Sequence, residues 1–487
     1  MRYYEPFEDA DGEISLLQVD VEPGHHSWRV ITAGEIYAAG IDPHERKFYE
    51  RQIEGAAWPL PRKLDPVGGM DQDWAKLEQD IVRYLHAHIW IADDRAYDLL
   101  ACWVIASYLR DRFTFMPLLI IDGITVSGKS TLQEALAGLI YHGVYFGNYT
   151  PAAITRIIKR ADASICLDES IDNLAGEKAV ELNNLIKIAV SPSAHYIRAV
   201  PHTRSDVEVV RAYTSLAISV RAQEVPQDVL NRGMRIQMLT KPPDVDVESI
   251  SWTEGYGSSE GATAAQLRTR LYEMKLASMM NPVDHETLQI EPFIRRAVRD
   301  LTTQAEDGEW LYALGLGLKG APKISNRQRD IAMTLLPIAE ATLVGRDVME
   351  LIIEEEKIND ESKQASFEAV VFQALVDCVG EEMGGMPGLD KHAFRRIFDS
   401  AVRQVTTRMV AMRTSAIMRD DGELQQYEQK STRACTQALK SMGLTYRVGQ
   451  GNGGRQSSME PDQQFVTQFR RLLREYDPNS IGLYNKL

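Results

Sequence analysis

The amino-acid sequence predicts an α/β fold built on a parallel sheet, and three observations lead to this prediction. Residues 119–132, LIIDGITVSGKSTL, are an apolar run followed by a glycine turn and a helical pattern. A second apolar run, SICLDE, ends in two carboxylates. Between Met116 and Leu239, apolar strands alternate with helical segments, which is the pattern of parallel strands joined by crossover helices.

The glycine turn that starts at Gly123 has the spacing G-x-x-x-x-G-K-S of a phosphate-binding P-loop. Leu119 to Ile121 are expected to form its strand, and the glycines let backbone N–H groups face a phosphate. Lys129 is expected to contact the β- and γ-phosphates, and the Ser130 hydroxyl to bind Mg²⁺. The predicted nucleotide-binding loop comprises Gly123, Ile124, Thr125, Val126, Ser127, Gly128, Lys129, Ser130 and Thr131. The alternative is an ordinary glycine-containing turn between a strand and a helix.

The second apolar run has the features of the strand that supplies the metal-binding and catalytic carboxylates. Ile165 to Leu167 are expected to form the strand, Asp168 to hold Mg²⁺ through water, and Glu169 to orient the attacking water. An apolar run before Asp-Glu is also common at strand ends that lead into a solvated turn. Its position downstream of the P-loop pattern favours the catalytic interpretation. The predicted ligands are ATP and Mg²⁺.

Composition limits the class of protein. The chain has 487 residues, of which 44% are hydrophobic, enough for about three globular domains. Four scattered cysteines without a CxxC pair argue against a disulfide framework or a zinc site. No apolar run approaches a membrane span, and the acidic N-terminus lacks a signal-peptide core, so a soluble cytoplasmic protein is expected. The net charge of −15 argues against a generally basic surface, although a local basic patch is compatible with it.

Changes of pattern divide the chain into four regions. Residues 1–75 mix short β-like segments with Pro and Gly, and their role cannot be inferred. Residues 76–250 hold a helical lead-in, from Trp74 to Arg112, and the P-loop core. Residues 251–360 have a helical pattern, and the charged stretch EEEKINDESKQ that follows suits a linker. Residues 365–487 form a C-terminal domain.

A P-loop sheet followed directly by helices resembles an AAA+ ATPase. The similarity is to the replicative-helicase-like ATPases of plasmids, phages and integrated elements, relatives of the minichromosome maintenance and superfamily 3 helicases. It covers roughly residues 95–345. The resemblance implies an AAA+ core with a helical lid, ATP hydrolysis, and a homo-oligomeric ring, a hexamer, that acts on single-stranded or forked DNA.

The same resemblance implies further site residues. Ser219, at the end of the apolar run TSLAISV, takes the place of a polar sensor residue that is often Asn in the relatives. Arg232 would be an arginine finger directed at the γ-phosphate of a neighbouring subunit. The alternative for Arg232 is a surface arginine in a salt bridge. Arg327, with Arg329 close behind, would be the sensor-2 arginine. The predicted catalytic residues are Lys129, Glu169, Arg232 and Arg327.

Two stretches are candidates for DNA contacts. The family inserts a channel hairpin between the carboxylates and the sensor, and the corresponding stretch here, residues 182–211, lacks helical periodicity and carries His195, Tyr196, Arg198, His202, Arg204 and Arg211. A backbone-tracking groove uses basic loops of this kind, with Tyr196 stacking on a base. A solvated surface loop is the alternative. His195, Arg198 and Arg204 are the predicted DNA contacts.

The C-terminal region shows a helix, a glycine turn and two short strands, an order that resembles the last helix and wing of a winged-helix domain. Residues 421–487 carry nine Lys and Arg against seven Asp and Glu, a balance of +2 in a chain of −15. This contrast favours a DNA contact, although winged helices also bind proteins. The predicted contacts are Arg433, Lys440, Arg447 and Arg455.

Two functions are compatible with these observations. One is a ring-forming DNA helicase or translocase that replicates a mobile element. The other is a protein-remodelling or regulatory ATPase, such as a helicase loader or a defence switch, whose winged helix binds a partner. The sequence does not identify the translocation polarity or the pathway.

Overall fold

The structure is a computed structural model, and its description covers most of the chain. The described residues are 2–22, 25–32, 35, 41, 58–65, 73–124, 126–168, 177–199, 207–220, 226–250, 263–280, 325–364, 367–384, 390–420, 432–444, 446–451, 454–459, 461–477 and 484. The chain divides into two compact units, residues 1–356 and residues 357–487.

The N-terminal region forms a small antiparallel sheet. Its strands are β1 (Arg2–Glu8), β2 (Ile14–Glu22) and β3 (His25–Ile31), in the order β1-β2-β3. Leu17 and Val19 belong to the main core of the first unit, whereas Leu16 and Ile31 form a separate small cluster. Apolar residues therefore cover both faces of this sheet, which explains why β2 has no clean alternation of polar and apolar residues.

A buried polar network joins β1 to the rest of the first unit. Glu5 is fully buried, with one carboxylate oxygen 2.8 Å from His142 Nε2, and Tyr141 Oη donates to the other across 3.3 Å. His142 Nδ1 donates to the Ala161 carbonyl across 2.6 Å, and Trp58 stacks on the imidazole ring. Both ring nitrogens thus face oxygen atoms, so one proton lies between His142 and Glu5. The sequence did not indicate this network.

Two helices precede the P-loop strand. Helix α1 (Trp74–His88) is capped by the Asp73 side chain, which accepts from Lys76 N, and α2 (Arg95–Tyr108) follows it. Nearly all residues of α2 are buried. This confirms the helical lead-in and the burial expected from its uniformly apolar sequence.

The centre of the first unit is a five-stranded parallel sheet. Its elements, with an antiparallel hairpin inserted before β9, are β4 (Leu118–Gly123), α3 (Lys129–Leu139), β5 (Gly143–Phe146), α4 (Pro151–Ala161), β6 (Ser164–Leu167), α5 (Glu177–Ala189), β7 (His195–Ala199), β8 (Val207–Arg211), β9 (Leu216–Val220), α6 (Gln227–Leu230) and β10 (Gly233–Met238). The strand order is β10-β4-β9-β6-β5. The predicted parallel α/β core is confirmed, and β9 lies between the P-loop strand and the strand that precedes Asp168.

Helices α7 (Ala264–Met280), α8 (Asn326–Ala341) and α9 (Gly345–Gln364) follow the sheet. Residues of all three belong to the same hydrophobic core as the sheet. In α7, Arg268 donates to the Gly138 carbonyl in α3 across 2.7 Å. The helical character predicted for this region is therefore confirmed where the structure describes it, and these helices pack onto the sheet core. The helical lid itself remains a prediction.

The stretch EEEKINDESKQ, where a linker was predicted, lies in α9, which continues as far as Gln364. The boundary between the two compact units falls within this stretch, after Glu356. Of the three glutamates at the start of this stretch, Glu354 is exposed, whereas Glu355 and Glu356 are buried and bonded. Glu355 accepts from Arg235 Nε across 2.7 Å, and Glu356 accepts from the Ser325 amide and hydroxyl at the N-cap of α8. A run of charges that suggested solvated chain is here partly a bonded helix face, because burial is tolerated when each charge has partners.

The second unit has its own core. Its elements are α10 (Phe367–Met383), α11 (Lys391–Gln404), α12 (Thr407–Asp420), α13 (Thr432–Ser441), β11 (Tyr446–Gly451), β12 (Gly454–Met459) and α14 (Gln463–Tyr476). Phe372, Phe398, Phe469 and Tyr484 pack together in its centre. The predicted helix, glycine turn and two strands are present, with Gly443 at φ +76°, and β11 pairs with β12. Helix α14 was not predicted, and the winged-helix assignment remains a prediction.

A buried pair of carboxyl groups lies between α1 and α2. Glu78 is 2% exposed and hydrogen-bonded to Asp98. Burial, followed by the charge of Asp98, raises the pKa of Glu78 to about 8, and burial with the charge of Asp347 raises the pKa of Asp98 to about 6. Because these folded-state values exceed the unfolded ones, the stability associated with the protonated groups is lost as pH rises toward 8.

We expect Glu78→Gln to remove most of this pH dependence, since the amide keeps a donor for Asp98 and does not ionise. The wild type should lose stability between pH 5 and pH 8 by up to a few kcal/mol relative to the variant. Thermal unfolding at several pH values measures this, with Glu181→Gln, an exposed carboxyl in α5, as control. If the stability of the wild type and that of Glu78→Gln change with pH in the same way, the prediction is wrong.

Candidate functional site

The loop between β4 and α3 has the backbone of a phosphate-binding turn. Gly128, the N-cap of α3, has φ +89°, and Val126 has φ +67° with its side chain exposed. A Cβ on Gly123 would lie 2.5 Å from the Met238 carbonyl oxygen of β10 and 2.6 Å from Ser127 Oγ. Both glycines of the motif are therefore required, one by its left-handed conformation and the other by close backbone approach.

Lys129 starts α3 and folds back over this loop. Its ammonium group donates to the Gly123 carbonyl and, across 3.0 Å, to the Ile124 carbonyl. Ser127 is buried, and its hydroxyl has no hydrogen-bond partner among the described residues. The loop thus places a cation and a buried hydroxyl beside the positive end of a helix, which suits an anionic ligand. Thr125 lies outside the described residues.

Asp168 brings the predicted residues of three segments together. Ser130 Oγ donates to Asp168 Oδ2 across 2.8 Å, and Ser219 Oγ donates to Asp168 Oδ1 across 2.7 Å. This follows from the sheet, because β4, β9 and β6 are adjacent and parallel and their carboxyl ends share one edge. Ser219 contacts the carboxylate here, at the position where a sensor residue was predicted. Glu169, the next residue after Asp168, lies outside the described residues.

Two polar residues in this cluster were missed by sequence reasoning. Tyr145 Oη donates to Asp168 Oδ2 across 2.6 Å, and burial, followed by this hydrogen bond, raises the pKa of Tyr145. Gln133, buried in α3, donates to the Leu167 carbonyl across 2.7 Å. Tyr145 lies near the end of the short apolar run GVYF. A polar residue at that position would indicate a contact with Asp168 only if the run were recognised as a strand beside β6.

A cavity of about 440 Å³ extends over the loop. Lys129, Ser130, Thr131 and Asp168 line it with polar and charged groups, together with Lys241. Its apolar lining includes Ile89, Trp90, Met238 and Val247. A volume in this range accepts a small ligand that has both a charged and an apolar part.

The donor set beside the loop fits a magnesium ion. Ser130 offers a hydroxyl and Asp168 a carboxylate, which are the hard oxygen ligands that Mg²⁺ takes, usually one or two per site with water and substrate oxygens completing the octahedron. These two residues already lie within hydrogen-bond distance of each other. They are therefore the candidate metal ligands.

Arg232 lies at the opposite edge of the sheet. It directly precedes β10, and its carbonyl accepts from Leu118 N at the start of β4. Its guanidinium donates to the carbonyls of Asp228 and Lys187 in the same chain. The five residue steps from Gly233 to Met238, beside the P-loop, span roughly 17 Å. The structure thus does not bring Arg232 to the Lys129 cluster of its own chain.

Arg327 lies near Arg232, on the first turn of α8. Partial burial and the positive charge of Arg327 lower the pKa of Arg232. Arg329 lies on the same turn, and the charges of both α8 arginines act on Asp330. The two arginines predicted to be catalytic therefore share one region, at the edge of the sheet away from the P-loop.

The predicted channel hairpin is in part described. Strands β7 and β8 pair antiparallel, with His195 opposite Arg211 and Arg198 opposite Glu208. The expectation that the whole stretch lacks helical structure is wrong, because residues 182–189 belong to α5. His195 and Arg211 are exposed. The side chains of Tyr196 and Arg198 and all of His202 and Arg204 lie outside the described parts.

The predicted C-terminal contacts are distributed over the helix and the two strands that follow it. Arg433 and Lys440 lie in α13, Arg447 in β11 and Arg455 in β12. Among these four, the structure describes the side chain of Lys440, which is exposed.

None of the helices that the structure describes is long and apolar enough to cross a membrane.

Comparison with known proteins adds little. No protein-family model matches the chain, and no curated protein matches it. Solved structures of the NrS-1 C-terminal region, in apo forms, are 10% identical and align over 94% of this chain and 96% of theirs, with TM-scores of 0.33 and 0.30.

Proposed function

We propose that this protein is an ATP-hydrolysing, ring-forming DNA helicase or translocase that serves the replication of a mobile element. The observation that carries the proposal is the convergence of Lys129, Ser130, Ser219 and Asp168 around a glycine loop at one edge of a parallel sheet. The apolar part of the cavity lining favours a nucleotide over inorganic phosphate, because a base and ribose need apolar contacts.

The residues of the site have distinct roles in this proposal. Lys129 exchanges the carbonyls of Gly123 and Ile124 for phosphate oxygens, and the exposed amides of the loop bind the same group. Ser130 and Asp168 would hold Mg²⁺, and the ion would supply positive charge beside the β- and γ-phosphates. Glu169 follows Asp168 directly in the chain and orients the attacking water. Hydrolysis then depends on positioning and charge.

The location of Arg232 supports assembly into a ring, which we take to be a hexamer. An arginine side chain reaches roughly 7 Å from its Cα, far less than the roughly 17 Å that separates this residue from its own P-loop. If Arg232 and Arg327 act on a γ-phosphate, that phosphate belongs to another copy of the chain. Their proximity to each other, with mutual repulsion, suits a site completed by an anion.

We expect Lys129→Ala to weaken the binding of a fluorescent ATP analogue about 10- to 100-fold, since it removes a charged phosphate donor. Lys76→Ala, at an exposed position of α1, is the control. Gly123→Ala should also weaken binding, whereas Gly138→Ala, where an added Cβ meets nothing within 4 Å, should not. Normal affinity in Lys129→Ala would refute the P-loop assignment.

A further prediction concerns the assembly of subunits. Arg232→Ala should bind ATP normally and hydrolyse it on the order of a thousandfold more slowly, since the lost charge acts in the transition state. Glu169→Gln should behave likewise. Mixing the two inactive proteins should restore hydrolysis, because some interfaces then join an intact Arg232 to an intact Glu169. If subunits exchange and no activity returns at any ratio, Arg232 does not act across an interface.

A protein-remodelling or regulatory ATPase is the second candidate function. The net charge of −15 favours it, because DNA affinity is supplied largely by basic surface. In such a protein the second unit recruits a protein partner. The nucleotide site is the same in both proposals, so DNA is the discriminating ligand.

In the helicase proposal, single-stranded DNA should stimulate ATP hydrolysis, and Arg198→Ala combined with Arg204→Ala should abolish the stimulation at unchanged basal rate. The double variant should also have a smaller salt dependence of DNA binding, because fewer phosphates are neutralised. Arg346→Ala, at a 67% exposed side chain on α9, is the control. A double variant that responds fully to DNA would favour the remodelling function.

A further inference from the structure

We infer that Tyr145 is a positioning residue that holds Asp168 in the orientation needed to bind the metal ion. The inference rests on the proposed function, and it assigns to β5 a role in the site. Tyr145 Oη lies 2.6 Å from the Asp168 carboxylate, and the Tyr145 hydroxyl also has a hydrogen bond with Ser130. Because Ser130 itself donates to the same carboxylate oxygen, we assign the contribution of Tyr145 to the orientation of Asp168.

Three hydroxyl groups converge on the Asp168 carboxylate. Ser219 donates to Oδ1, and both Tyr145 and Ser130 donate to Oδ2. A Ser130 hydroxyl that binds Mg²⁺ through an oxygen lone pair keeps its proton for Asp168 Oδ2, because a hydroxyl has two lone pairs and one O–H. Ser219 on Oδ1 and Tyr145 on Oδ2 do not depend on the metal, and together they restrict rotation of the carboxylate plane.

The phenol is held rigidly enough for this role. Strand β5 pairs in parallel with β6, with Tyr145 opposite Cys166 and Phe146 opposite Leu167. Asp168 N donates to the Phe146 carbonyl across 3.0 Å, which fixes the backbone of the carboxylate relative to that of the phenol. The tyrosine ring has only two side-chain torsions, so its hydroxyl returns to one place at little entropic cost.

The consequence is a metal site arranged before the ion arrives. A carboxylate that is held by a hydrogen bond on each oxygen does not have to be reoriented on binding. Loss of such a supporting bond typically lowers metal affinity 10- to 100-fold. A residue with a merely structural role would instead lower stability or nucleotide affinity whether or not metal is present.

The test is a titration of MgCl₂ into the protein with a fluorescent ATP analogue, following binding of the analogue. Tyr145→Phe should raise the half-saturating Mg²⁺ concentration about tenfold, while affinity for the analogue in EDTA stays that of the wild type. Tyr213→Phe is the matched control, because it removes a phenol that donates to the Arg110 and Phe113 carbonyls near the other edge of the sheet. It should titrate like the wild type.

Each outcome decides the inference. A Tyr145→Phe protein with the wild-type Mg²⁺ midpoint overturns it while leaving the proposed function intact. Equal losses of affinity with and without Mg²⁺ overturn it in favour of a structural role. If the affinity of the wild type for the ATP analogue does not change with Mg²⁺ concentration, the proposed metal site is wrong, and the role of Tyr145 is wrong with it. Should Tyr145→Phe not fold, Ser219→Ala tests the same support from the other oxygen, where an unchanged midpoint overturns it.

Discussion

Parallel pairing of β9 between β4 and β6 is the constraint on which the candidate site depends. It brings to one edge of the sheet three side chains that are far apart in the chain, Ser130, Asp168 and Ser219. Pairing of β5 with β6 adds Tyr145 to the same edge. A change of strand order would leave each of these residues in its own segment of the chain but would separate them in space. The chemistry is thus a property of the order of the strands as much as of the residues.

The same sheet separates the two groups of charged residues. Lys129 lies at the carboxyl edge and Arg232 at the amino edge, because β10 runs the full height of the sheet between them. Arg232 is tied to carbonyls of its own chain, and this bonding fixes where its charge lies. A fold of this kind keeps the glycine loop and the second set of cations apart, at opposite ends of β10.

Much of the site could be predicted from the sequence where function forces a local pattern. Glycine spacing from Gly123 to Gly128 reflects backbone geometry that other residues cannot adopt, and an apolar run before Asp168 reflects a buried strand. Tyr145 could not be predicted, since its role depends on which strand lies beside β6. The burial of Glu355 could not be predicted, because the partners that make burial of a glutamate tolerable are distant in sequence.

Because of the network around Glu5, the N-terminal strands are an integral part of the first unit. Tyr141, His142 and the ammonium group of Lys275, which lies 4.1 Å from the Tyr141 ring, are buried beneath or beside β1. A chain shortened to begin just before α1 would open these polar groups to water on one side and remove Phe7 and Leu17 from the hydrophobic core that they share with the sheet. The smallest folding unit around the P-loop therefore starts at the first strand, so trimming the chain to its recognisable motif would discard part of its hydrophobic interior.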